Sequence, residues 1–323
     1  MCENPVKAVA IDKPLRGPLT RIRGPDLSIF RIAHLSDPHL PPPKGAFGWR
    51  DLASKRLLSR IAWRRKRREH QPEVLAALVA DIQAHAPDHI ALTGDLTNFA
   101  SKAEFDAARQ WLSGLGPAEG VTLSPGNHDA LVASPRSDRF STWSDWLGDG
   151  ETGDFPRLRL RDGVAIINLC SAVPTAPHLA TGQLGDAQLA RLEALLIDLA
   201  DRDLVRVVLI HHPPVPGVVS RRKALDDQAA LQAILQRHGA ELILHGHAHE
   251  ALVTTLAGPN GRDIPVLGVP SASAVGRGKH PAARWHAIEI IREGSGPAKI
   301  RVIARGLDPV TGSPTELGRY SLV

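Results

Sequence analysis

Cysteine is almost missing from this chain, which has two thiols, Cys2 and Cys170, in 323 residues. A disulfide-stapled scaffold is thereby excluded, and a reducing compartment fits. Long apolar runs are missing too. No stretch approaches the roughly 18 consecutive apolar residues that a membrane span needs. Residues 1–27, broken by Pro5, Pro14, Pro18 and Pro25, lack the continuous apolar core of a secretory signal. The expectation is a cytoplasmic protein, with docking on the cytoplasmic face of a membrane left open by its charge pattern. With 43% hydrophobic and 23% charged residues, the composition is globular rather than disordered or collagen-like.

The net charge of +5 is concentrated rather than spread. From Arg50 to Glu69 nine bases face two acids, a balance of +7, so the remainder of the chain carries −2. The chain outside this segment alternates short apolar runs with longer helical patterns, which predicts an α/β arrangement. The runs are Ile29 to Leu35, His89 to Thr93, Val121 to Ser124, Val164 to Cys170, Val205 to Ile210 and Glu241 to Leu244. Four more follow, at Ala251 to Leu256, Ile264 to Val269, Trp285 to Ile291 and Lys299 to Ala304. Helices are expected after Pro72, where Val74, Leu75, Leu78, Val79 and Ile82 repeat at helical spacing, and after a capping box formed by Ser101 and Glu104. Another follows Asp186, ahead of Leu189, Leu192, Leu196 and Leu199. No internal repeat and no linker divides the chain. The expected organisation is a Pro-rich extension over 1–27 and one domain of two packed sheets over 28–323.

Five of the apolar runs end in side chains able to hold metal. The first ends Ser36-Asp37-Pro38-His39, the second Gly94-Asp95-Leu96-Thr97-Asn98 and the third Pro125-Gly126-Asn127-His128-Asp129. Two more end His211-His212-Pro213-Pro214 and His245-Gly246-His247-Ala248-His249. Each alone is ordinary turn chemistry. Together, each directly after a predicted strand, they converge on one sheet edge, because ligands of open α/β sheets lie beyond the carboxyl ends of the strands. Imidazoles and carboxylates without thiolate suit Zn²⁺, Mn²⁺ or Fe. Two such ions about 3.5–4 Å apart would lower the pKa of a bridging water and clamp an in-line displacement at phosphorus.

Asp37-x-His39, Gly94-Asp95, Gly126-Asn127-His128-Asp129, His211-His212-Pro213 and Gly246-His247-Ala248-His249 resemble the five-block signature of the calcineurin-like metallophosphoesterases. The resemblance runs from about Ile29 into the C-terminal strands. It implies a four-layer αββα sandwich of two mixed sheets flanked by helices, with a dinuclear centre at one edge. It also implies that Asp37, His39 and His249 hold a first ion, that Asn127, His211 and His247 hold a second, and that Asp95 bridges them. His128 resembles the histidine that contacts phosphate and protonates the leaving group. His212 is then a neighbour of the centre, and His245 a strand-end residue. Where the Ser/Thr phosphatase branch places an aspartate to orient that histidine, this chain has Asn98. Without the carboxylate an imidazolium at His128 is less stabilised. This departure turns the resemblance toward phosphodiesterases and pyrophosphatases, and Asn98 becomes a candidate substrate contact.

Substrate choice has to come from outside the blocks. Residues 48–70 form a basic insertion between the first two, and as a helix they place Leu57, Leu58, Ile61 and Ala62 together. Arg56, Arg60, Arg64 and Arg67 recur on another face, with Arg65 and Arg68 beside them and Trp49 and Trp63 flanking the apolar patch. Three readings compete. The helix is a cap over the active site, or an anionic-membrane dock in which arginine stems snorkel toward headgroups, or a nucleic-acid contact. The last is disfavoured because aromatics for base stacking are not interleaved with the bases. Arg221, Arg222 and Lys223 are either a solvated helix start or a group that neutralises a diphosphate beside the ions.

Metal blocks joined to a basic amphipathic insertion resemble the membrane-associated UDP-2,3-diacylglucosamine pyrophosphatases. The alternative is a soluble cyclic nucleotide or glycerophosphodiester phosphodiesterase, with a nuclease or a non-catalytic metal-binding scaffold more remote. No pattern in the chain specifies an oligomeric state.

Overall fold

A strand covered on both faces reads as a continuous apolar run, and a strand covered on one face alternates. Most of the ten runs found in the sequence are of the first kind, while those at Ala251 to Leu256 and Lys299 to Ala304 alternate in burial, and the positions of the runs place the layers. In the computed structural model of the chain, residues 27–48, 51, 54–133, 140–149, 154–277, 280–294, 296–308 and 310–322 are described. Trp49 and residues 1–26 of the Pro-rich extension lie outside them, as does the side chain of Arg65.

Chain order runs β1 (Leu27–Leu35), α1 (Lys55–Lys66), α2 (Pro72–Ala84), β2 (His89–Leu92), α3 (Lys102–Ser113), β3 (Val121–Leu123), α4 (Ser144–Leu147), β4 (Arg157–Arg161) and β5 (Val164–Asn168). It continues α5 (Asp186–Ala200), β6 (Val205–Leu209), α6 (Gln228–His238), β7 (Leu242–His245), β8 (Leu252–Ala257), β9 (Asp263–Gly268), β10 (Val275–Arg277), β11 (His280–Ala282), β12 (Arg284–Glu293), β13 (Lys299–Leu307) and β14 (Pro314–Leu322). One six-stranded sheet has the order β14-β13-β12-β1-β2-β3, the other β4-β5-β6-β7-β9-β8, and β10 and β11 form a separate hairpin.

Side-chain alternation sorts each strand between layers. Ile32 of β1, Ala91 of β2, Val164 and Ile166 of β5, and Val205, Val207 and Leu209 of β6 share the core between the sheets. The intervening residues Ala33, Leu35, Ile90 and Leu92 face Leu75, Leu78 and Ile82 of α2 and Leu112 of α3. On the far side Ala165, Ile167 and Val208 face Leu189, Leu192 and Leu196 of α5 and Leu231 and Leu235 of α6. The result is the four-layer αββα sandwich of two mixed sheets that the sequence implies.

Helix starts follow local chemistry. Pro72 occupies the first turn of α2, and α3 begins with the reciprocal capping box of Ser101 and Glu104. Asp186 is the first residue of α5 behind Gly185. Four strands, β4, β10, β11 and β14, exceed the ten expected. β4 (RLRLR) and β14 (PTELGRYSL) are edge strands, covered too little to need an apolar run.

Some strand positions hold buried histidines that the fold keeps from taking up a proton. His89, at the start of β2, is 1% exposed and bonds Thr122 Oγ1 at 2.8 Å through Nε2. Burial, with Arg159 and Arg161 nearby, pushes it down to about 3. The unfolded chain takes up this proton near 6.5 while the fold resists it, so the stability His89 supports is complete above that pH and falls as acid is added. The stability gap between wild type and His89→Gln, measured by urea unfolding, is therefore expected to shift against wild type by about 3 kcal/mol between pH 6.5 and 4. A gap independent of pH would contradict the assignment.

Candidate active site

β1, β2 and β3 are parallel neighbours, and so are β6 and β7. Their carboxyl ends therefore open toward one rim, where the five polar blocks follow. The loops after β1 and β2 lie side by side, with Asp37 N bonded to Gly94 O, His39 N to Asp95 O and Leu40 N to Leu96 O, each at 3.0 Å. Asp37, His39, Asp95, His247 and His249 all have positive φ, between 42° and 63°. Side-chain-bearing residues enter that region at a cost, and such strain persists where surroundings hold it. Here it turns donors at alternate positions toward one point. Two glycines make room: a Cβ on Gly126 would overlap Asp95 Oδ1, and one on Gly246 would overlap Ser36 Oγ.

The expected ligands stand in two adjoining groups. Asp37, His39 and Asp95 offer donor atoms within 4.8 Å of one another, and His249 Nε2 lies 3.1 Å from Asp37 Oδ1. In the second group His211 Nε2 lies 3.1 Å from Asn127 Oδ1, and His211 joins His212 and His247 within the same 4.8 Å limit. Asp95 Oδ2 stands between the groups, 3.9 Å from His39 Nε2 and 3.6 Å from His211 Nε2.

Which nitrogen faces the centre is set by what holds the other. His211 Nδ1 bonds the carbonyl of Thr93 at 2.6 Å, which leaves Nε2 directed at Asp95 and Asn127. His247 Nε2 bonds the carbonyl of Lys223 at 3.0 Å, which leaves Nδ1. His212 uses both, Nδ1 on Ser171 Oγ and Nε2 on Ala180 O, so it supports the centre from outside. His245 bonds the neighbouring carbonyl of Gly246 through Nδ1 at the end of its strand. The donor set fits a divalent ion of borderline softness.

The electrostatics point the same way. Burial, with Asp37 adding repulsion against the pull of His211, raises Asp95 to about 6. Burial alone would raise Asp37, but the charge and hydrogen bond of His249 hold it well below the carboxylate range. Burial would lower His211, and Asp95 and Asp37 outweigh it and raise it. His247 is lowered well below its ordinary value by burial and by His212 and His211, which keeps it neutral and able to ligate. Asp129, fully buried, accepts from Asp95 N, Thr97 N and Gly126 N at 2.9–3.0 Å, stapling the second loop to the third.

His128 is placed against this centre by two contacts. Its N–H donates to Asp95 Oδ1 at 2.8 Å, and its Nδ1 lies 3.2 Å from the carbonyl of Asn98. The ring sits 5.1 Å from that of His39 and lines a cavity of about 470 Å³ with His39, Asp95, Asn127, His247 and His249.

A family profile described as calcineurin-like phosphoesterase matches residues 30–251. The chain belongs to the calcineurin-like phosphoesterases. It is 28% identical over 230 residues to a probable cyclic nucleotide phosphodiesterase of Synechococcus, covering 70% of this chain and 80% of that one. It is 30% identical over 172 residues to a glycerophosphodiester phosphodiesterase of Enterobacter lignolyticus, covering 52% and 58%. Its fold is similar to that of a dimetal phosphatase of Danio rerio, with TM-score 0.53, 12% identity and coverage of 89% and 98%. It is also similar to a purple acid phosphatase of yellow lupin, with TM-score 0.54, 11% identity and coverage of 91% and 53%.

In this phosphoesterase the expected substrate contacts are placed as follows. Asn98 reaches the site through its backbone carbonyl, since its side-chain amide donates to Leu40 O at 2.8 Å and the residue is 3% exposed. Arg221, Arg222 and Lys223 form one exposed 3-10 turn, and of the three only Lys223 lines the cavity.

The basic insertion of the phosphoesterase is anchored, not loose. Arg56 grips Phe99 O, Ala100 O and Asp51, Lys55 Nζ bonds Thr175 and Leu179, and Arg60 lies over the Phe47 ring at 4.3 Å. Trp63 stacks on His70 and faces a small space shared with His39 and His128. Arg56, Arg60 and Trp63, expected at a membrane, are thus engaged with the protein. The expected apolar stripe is split, with Leu58 51% and Ile61 44% exposed, while Arg64, Arg67 and Arg68 face solvent. His70 and Asp129 are the functional neighbours that sequence reasoning passed over. Asp129 stood inside a quoted block, but His70 lay at the end of a charge run with no motif around it.

Proposed function

We propose that this phosphoesterase hydrolyses phosphodiesters of small molecules, with cyclic nucleotides and glycerophosphodiesters as the leading classes, at a centre of two divalent ions. The observation that carries the reading is the position of Asp95 Oδ2, within 4 Å of a donor nitrogen in each group. Asp37, His39 and His249 would hold one ion, Asn127, His211 and His247 the other, and Asp95 both. Manganese, iron or zinc suits these donors, and bound ions supply Lewis acidity and a water of lowered pKa. The cavity, about 470 Å³, is of the size that encloses a small ligand. The domain is read as one unit over 28–323, with the insertion at 48–70 as part of the wall.

His128 is the proton donor in this reading. With the Nδ1 hydrogen given to the Asn98 carbonyl, Nε2 is where a proton is delivered to the leaving oxygen. The partner that orients the ring is a neutral carbonyl rather than a carboxylate. Asn98 and Lys223 contribute by placement: the first orients His128, and the second fixes His247 through its carbonyl and sets a cation at the cavity wall.

A second reading, hydrolysis of a pyrophosphate such as a nucleotide-sugar lipid at an anionic membrane, draws on Leu58 and Ile61, exposed on α1 near Arg64, Arg67 and Arg68. No described helix is long and apolar enough to cross a membrane.

In Mn²⁺, bis-p-nitrophenyl phosphate, cyclic AMP, a glycerophosphodiester and UDP-diacylglucosamine separate these readings, and turnover is expected on the first three. His128→Ala should retain metal and lose about 100-fold or more in kcat on the alkyl leaving groups, with a smaller loss on p-nitrophenolate. Loss of metal, or an equal loss on all substrates, would remove His128 from the role of acid. For the membrane reading, sedimentation with anionic vesicles should fall with salt and with charge removal at Arg64, Arg67 and Arg68. Absent or salt-independent sedimentation would leave α1 as a cap alone.

A further inference from the structure

The dinuclear reading uses the histidines of the five blocks, yet the basic insertion delivers another imidazole to the same place. We propose that His70 is an additional protein ligand of the ion held by Asp37, His39 and His249; the proposal rests on the dinuclear reading.

Geometry is the first argument. His39, His70 and His249 each offer a ring nitrogen, and these lie within 4.8 Å of one another. That limit is the one met by the Asp37, His39 and Asp95 group and by the His211, His212 and His247 group. Ring centroids are 4.6 Å apart for His39 and His70, 5.8 Å for His70 and His249, and 5.4 Å for His39 and His249. The three imidazoles converge beside the Asp37 carboxylate, whose Oδ1 lies 3.1 Å from His249 Nε2, and a shared cation is what such a cluster of donors fits.

The second argument is how His70 is held. It is 6% exposed, with Nδ1 at 2.9 Å from Ser273 Oγ and 3.2 Å from Ser271 Oγ. Ser271 Oγ also bonds the carbonyl of Asp37 at 2.6 Å, so the orienting hydroxyl is tied to a residue of the same centre. A ring fixed at one nitrogen by a polar partner is how ligating histidines are set, as His211 and His247 are here.

The backbone removes the remaining freedom. His70 pairs antiparallel with Ala274, Gln71 N bonds Ser273 O at 2.8 Å and Val275 N bonds Glu69 O at 2.9 Å. Trp63, near the end of α1, stacks on the ring with 14° between planes. The insertion is thereby strapped to the strand-end loop that carries both serines. His70 would complete a donor set of three imidazoles and two carboxylates on the first ion. The second ion would remain the more open one, and ion binding at the first site would be linked to the seating of α1.

The test is a Co²⁺ titration of the metal-free full-length chain, followed by visible absorption and calorimetry, for wild type, His70→Ala, His70→Gln and Ser273→Ala. Wild type is expected to bind two equivalents. His70→Ala and His70→Gln should weaken one of them by at least about 10–100-fold and change its absorption band, leaving the other within about twofold. Ser273→Ala, which keeps the imidazole but not its orienting hydroxyl, should weaken the same equivalent by less. Two unchanged affinities and an unchanged spectrum in a folded His70 variant would overturn the proposal, and a fall in turnover alone would then make His70 a substrate contact. Wild type that binds fewer than two equivalents would instead remove the dinuclear reading on which it rests.

Discussion

The structure turns on one buried carboxylate. Asp95 is 2% exposed and has a donor imidazole on each side, with Asp37 and Asp129 also buried close by. Carboxylates in such a place need cations or protons, and its pKa of about 6 registers that need. Each loop of the rim is arranged around it. Asp129 holds its backbone, His128 donates to one of its oxygens, and Gly126 leaves space where any side chain would collide with it.

That arrangement explains why strain collects on one edge of an otherwise regular sandwich. Parallel strands end abruptly, and positive φ at five of the expected ligands turns short loops back over the strand ends. The layered core behind them is the rigid support such conformations require. Where helices cover both outer faces, side chains on the strands are fixed by packing, and the loops inherit that precision.

The four-layer fold was legible because the strands of its center are apolar on both faces, and the convergence of the five blocks on one rim because they follow those strands directly. What escaped has physical reasons. β4 and β14 are edges stabilised by ladder bonds more than by burial. Asn98 was expected as a substrate contact, while the group by which it touches His128 is its carbonyl, which every residue possesses. Arg221 and Arg222 were judged by charge, and charge does not say where an exposed arginine points. His70 was invisible because its place depends on a strap to residues some two hundred positions away, and no local pattern records a pairing of that kind.

Anomalous diffraction from Mn²⁺-loaded crystals tests the central claim most directly. The account predicts two peaks about 3.5–4 Å apart, one beside Asp37, His39 and His249, one beside Asn127, His211 and His247, with the Asp95 carboxylate between them. A single peak, or two that do not share Asp95, would contradict it.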